Sequence, residues 1–129
     1  MININNPGNI RISNTQWQGK ISPSHDAQFE TFDTPDNGIR AMAKILITYF
    51  DRGLNTIEAI ITAWAPPSEN DTDTYIDAVS DDSGFDSDQV LTLDASTLEA
   101  LIPAIIKHEN GKQPYDASLI STAIQEALT

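Results

Sequence analysis

Beyond Asp36 the apolar side chains of this chain recur every three or four residues in successive blocks, each bounded by residues that start or stop helices. Residues at that spacing share one helix face, so most of the chain is committed to amphipathic helices around a common core. The first block carries Ile39, Met42, Leu46 and Phe50 and stops at Gly53. In the second, Asn55 and Glu58 form a capping-box pair before the stripe Ile57, Ile60, Ile61 and Trp64, and Pro66 and Pro67 end it. The third follows the acidic residues 69–73, carries Tyr75, Ile76 and Val79, and closes at Ser83 and Gly84. Ser96 and Glu99 open the fourth, with Leu98, Leu101, Ile102, Ile105 and Ile106 as its stripe. Pro103 lies inside it, so the helix kinks there or a second one starts there. Asp116 caps a last helix that buries Leu119, Ile120, Ala123, Ile124 and Leu128.

The first third lacks this period. Asn5, Asn6, Pro7 and Gly8 make a turn cluster, and residues 9–12, Trp17 and residues 29–32 supply short strands around a loop containing Pro23. The expected architecture is α+β and mainly α-helical, with a small N-terminal hairpin or sheet, in one domain over residues 1–129.

Charge narrows the partners. Seven Lys and Arg face nineteen Asp and Glu, a formal net charge of -12, the wrong sign for a nucleic-acid surface. With no cysteine there are no disulfides, thiolate nucleophiles or cysteine metal sites. No basic stretch followed by an apolar one opens the chain, and no apolar run approaches the roughly 20 residues that span a bilayer. No membrane insertion, no cofactor and a monomer are expected. Asp81, Asp82, Asp86 and Asp88 lack the EF-hand spacing and read as a solvated loop. His25 and His108 sit in neither a zinc motif nor a nucleophile elbow, and read as surface residues.

One carboxylate stands apart. Position 109 lies four residues after Ile105 and three after Ile106, which puts Glu109 on the core-facing side at the end of its helix. Partial desolvation and the negative end of the helix dipole both favour the neutral acid there. A proton-holding carboxylic acid beside a cleft is what protonation of a glycosidic oxygen needs; a tuned lysozyme glutamate is the standard worked case. The structural alternative is a Glu turned outward or paired with Lys107 or Lys112. Trp17, Trp64 and Tyr75 offer ring faces suited to sugars, although Trp64, on a buried stripe, reads as core. Glu30, Glu69, Asp71 and Asp73 are candidates for a second carboxylate.

The segments NNPGNIR (residues 5–11), GIRAMAKIL (38–46), WAPPSENDTDTY (64–75) and IIKHENGKQPY (105–115) resemble a family of small phage and prophage proteins whose members are often labelled only as structural or virion proteins. A looser likeness is to lytic transglycosylases of the lysozyme-like fold. AIIKHENG (104–111) resembles their Glu-bearing helix end, GNIR (8–11) their Gly-Leu-Met-Gln loop, AWAP (63–66) stands where they have Ala-Tyr-Asn-Ala-Gly, and Tyr75 could be their downstream Tyr. The order is rotated, as though a circular permutation had carried the first helix to the C-terminus. Asn110 stands for Ser and Arg11 for Gln, and AWAPPSEN lacks the Asn-Ala-Gly element.

The resemblance implies cleavage of the bond between N-acetylmuramic acid and N-acetylglucosamine in peptidoglycan, by a muramidase or a lytic transglycosylase with Glu109 as acid. It implies glycan contacts at Asn9, Arg11, Glu69, Asn70, Tyr75 and Asn110, and the ring of Trp17 is a further candidate contact. Such a phage-encoded protein, made in the host cytoplasm without a signal peptide, would act at the wall as an endolysin or be carried in the virion. The competing readings are a non-catalytic virion or wall-binding module of the same fold, and an acidic inhibitor of a basic partner.

Overall fold

In the computed structural model, which describes residues 2–129, five helices follow a short N-terminal region. A 3-10 turn (Ile2–Ile4) leads to the strands β1 (Lys20–Ile21) and β2 (Thr31–Phe32), and then to α1 (Pro35–Asp51), α2 (Ile57–Trp64), α3 (Thr72–Ser83), α4 (Ala95–Asn110) and α5 (Ala117–Leu128). The strands pair antiparallel, Lys20 opposite Phe32 and Ile21 opposite Thr31. Mainly helical with one small sheet, the molecule has the α+β character expected. The expected strand at residues 9–12 reduces to a single bridge between Arg11 and Phe29, and Trp17 belongs to no strand. A strand forms instead at Lys20–Ile21, beside a glycine turn whose Gly19 has φ 78°.

The stripes read from the sequence are buried. Ile39, Met42 and Leu46 of α1, Ile57, Ile60 and Ile61 of α2, and Leu98, Leu101, Ile102, Ile105 and Ile106 of α4 are all essentially inaccessible. α1 packs on α5, α3 on α2 and α4, and α4 on α5, so α4 runs through the middle of the molecule. Two cap assignments are corrected. The N-cap of α2 is Thr56, whose hydroxyl accepts from Ala59 N, because the Asn55 carbonyl is already taken by Leu91 N. The N-cap of α4 is Asp94, which accepts from Thr97 N at 2.8 Å, and this puts Ser96 inside the helix. Asp116 occupies the N-cap position of α5 but makes no side-chain cap bond. Pro103 neither divides nor ends α4. In α5 Ala127 is buried and Leu128 is exposed, and Asp81 and Asp82 belong to the last turn of α3 rather than to a loop. No helix among the described residues is long and apolar enough to cross a membrane.

Candidate functional site

Glu109 emerges one residue before the end of α4, half-buried, and both its oxygens are held. The Tyr75 hydroxyl donates to Oε2 at 2.6 Å, and the Asn9 side-chain amide donates to Oε1 at 2.6 Å. Tyr75, on α3, is 2% exposed. Burial first, and then the negative charge of Glu109, push the phenol far above the ordinary tyrosine value of 10.0, so Tyr75 is a permanent donor. The imidazole of His108 lies on the Tyr75 ring, with centroids 3.8 Å apart.

The loop that presents Asn9 is fixed by polar groups rather than by apolar packing. Asn6, fully buried, donates through Nδ2 to the carbonyls of Ile10 and Glu30 and accepts from Ile10 N, all at 2.9 Å. Asn9 adopts a left-handed backbone, φ 53°, which asparagine tolerates better than most residues. The loop can lie against α1 because positions 8 and 38 are glycine. A Cβ at Gly38 would come within 2.0 Å of the Asn5 carbonyl oxygen, and one at Gly8 within 2.7 Å of Met42. From the other side the Asn110 amide donates to Pro7 O at 2.7 Å, tying the end of α4 to the same loop.

Two depressions meet at the carboxyl. The larger, about 370 Å³, lies among Asn9, Arg11, Phe29, Tyr49, Trp64 and Glu69; the smaller, about 230 Å³, among Asp71, Thr74, Tyr75 and His108; Asn70 and Glu109 border both. Volumes of this order suit single sugar residues or other small groups.

A curated relative, Protein P5 of Pseudoalteromonas phage PM2, is 45% identical over 115 residues, covering 86% of this chain and 71% of that protein. The chain belongs to the Protein P5 family. No family model matches it.

In this member of the Protein P5 family, most residues expected at a site do gather around Glu109. Asn9, Arg11, Glu69, Asn70 and Tyr75 all border the two depressions, and Trp64, read as core, is only partly buried and lines the larger one. Two expected contacts lie elsewhere. Trp17 packs its partly buried ring on the hydrophobic core and does not line the cleft, and Asn110 spends its amide on Pro7 and Ile106. Among the candidate second carboxylates, Glu30 is fully buried, ion-paired with Lys20 at 3.1 Å and bonded by Ser13 N, so it supports the N-terminal loop. Asp73 borders neither depression beside Glu109. Asp71 caps α3, and hydrogen bonds from Thr74 hold its carboxyl below the ordinary aspartate value. Asn6, Phe29 and Tyr49 carry no signal of their own: Asn6 is one residue of a turn cluster, and the two rings lie in segments that read only as strand and helix.

Proposed function

We propose that this chain is a peptidoglycan glycosidase that cleaves between N-acetylmuramic acid and N-acetylglucosamine, with Glu109 as the acid, on a lysozyme-like scaffold whose segments are circularly permuted. The observation that carries this reading is the Glu109 carboxyl held from both sides, by Asn9 and Tyr75, at the junction of two depressions. A glycosidase needs a sugar on each side of its acid, and an acid whose orientation is fixed before substrate arrives.

In the first step Glu109 gives its proton to the glycosidic oxygen, the C1–O bond breaks, and its electron pair stays on the departing sugar. Tyr75 and Asn9 both donate to this carboxyl, so they favour its charged form, which is the product of proton transfer but not the proton-holding form expected from the helix-end position alone. Glu109 then takes a proton from the nucleophile that closes on C1. A single carboxylate suffices when that nucleophile is the sugar's own hydroxyl, which is the transglycosylase route. Of the candidate second carboxylates, Glu30 is committed to Lys20 and Asp71 to Thr74, which leaves Glu69, bordering the larger depression with Glu109, as the one a two-carboxylate route would use; the product ends decide between the routes.

Digestion of purified peptidoglycan by the wild-type protein and by Glu109→Gln, with mass analysis of the products, tests the proposal. Wild type should release muropeptides with anhydro ends, and the variant should lose at least about a hundredfold in rate. Reducing ends would replace transglycosylation by hydrolysis. No digestion by wild type, or full activity of the variant, would overturn the enzyme and leave a non-catalytic phage module.

A further inference from the structure

Resting on the glycan-cleaving reading, we propose that Arg11 is a receptor for a carboxylate on the muramoyl residue, and that it fixes which way the strand lies across Glu109. Arg11 is the only Lys or Arg bordering either depression among the described residues. Its backbone is held by the bridge to Phe29, and its guanidinium lies 5.4 Å from the centre of the Phe29 ring. That cation–π contact biases where the guanidinium sits, and its N–H groups retain the planar fork that matches a carboxylate. Its anionic neighbour is a poor partner. Glu69 Oε1 is 3.9 Å away, beyond hydrogen-bond length, and both side chains are more than half exposed. Exposed pairs of this kind are worth little, so an incoming carboxylate that makes a two-toothed contact displaces Glu69 readily.

The two sides of the acid are electrostatically unlike. Arg11 borders the larger depression, where Glu69 is its exposed neighbour, whereas the smaller has Asp71 and His108 at its edge and no Lys or Arg among the described residues. A carboxylate-bearing sugar finds the one guanidinium of the site in the first, where it would take the place of Glu69, and N-acetylglucosamine, which carries no charge, is left for the second. This local cation also answers how a chain of net charge -12 tolerates an acidic polymer. The carboxylate can be the lactyl group of peptide-free glycan or a terminus of the stem peptide, and both have the same chemistry toward a guanidinium.

Calorimetric titration with three short oligosaccharides decides the matter: an N-acetylglucosamine oligomer, a peptide-free strand containing muramic acid, and the same strand with its stem peptides. Wild type should bind at least one muramoyl strand about tenfold more tightly than the uncharged oligomer, a preference that weakens with added salt. The strand that shows the preference identifies the carboxylate. Arg11→Gln should erase it and Glu69→Gln should enlarge it, opposite effects that a folding defect would not produce. A preference that survives Arg11→Gln, a wild type that binds all three alike, or no binding at all overturns the proposal. The readout is binding, so an Arg11-dependent preference without digestion would refute the glycosidase and keep the carboxylate site. Digestion without preference would do the reverse.

Discussion

At Glu109 two neutral donors converge on one carboxyl, and of these Tyr75 is the more deeply buried. Its hydroxyl donates to Glu109 Oε2 at 2.6 Å, and Tyr75→Phe removes that donor from the acid. Leaving one buried polar group without its partner costs about 1–3 kcal/mol, which urea denaturation would register. On the proposed reading Tyr75 acts through the acid that its hydroxyl orients. The loss of peptidoglycan turnover, about tenfold or more, should therefore fall on kcat, with KM little altered. A loss confined to KM would assign the phenol to substrate binding instead.

Among the elements, α1 gives the sharpest test because local propensity and tertiary contact disagree there. Ala is a better helix former than Gly by about 1 kcal/mol, so on the isolated helix Gly38→Ala would stabilise. In the folded chain the new Cβ meets the Asn5 carbonyl at 2.0 Å, and the backbone of the Asn9 loop cannot yield as a flexible side chain would. The substitution should lower stability by about 1–3 kcal/mol, read from thermal or urea midpoints; an increase would show that the loop rests less closely on α1. The same contrast between local and long-range forces explains what is legible in the sequence. The stripe from Leu98 to Ile106 is a local, periodic signal, and its spacing alone is enough to put Glu109 on the inner face of α4. The caps at Asn55 and Ser96 mislead because cap-type residues stand close together, Asn55 beside Thr56 and Ser96 near Asp94, and a long-range bond to Leu91 settles the first case. The strands are misplaced because two-residue pairings carry almost no periodicity. The partners of Glu109 lie 100 and 34 residues away, beyond any pattern along the chain, so the motif likeness brings Asn9 and Tyr75 forward only as glycan contacts, not as the groups that hold the acid.

For the whole molecule, the three tyrosines set a limit on the alkaline side. Burial raises the phenols of Tyr49, Tyr75 and Tyr115 above the ordinary value of 10.0, Tyr75 most of all. Above that value the folded state keeps protons that the unfolded state has released, so stability is full below about pH 10 and is lost as pH rises toward the folded values. Urea midpoints should hold up to that point and then fall, and the fall should be shallower in Tyr75→Phe. An unchanged slope in the variant would mean that this phenol is not what the folded state keeps protonated. The bonds from Asn9 to Glu109 and from Asn110 to Pro7 join groups 100 and 103 positions apart. During translation, the residues that grip the carboxyl emerge early and wait for it. A chain cut short before residue 110 would therefore keep the loop and the phenol but lack the end of α4 that they hold.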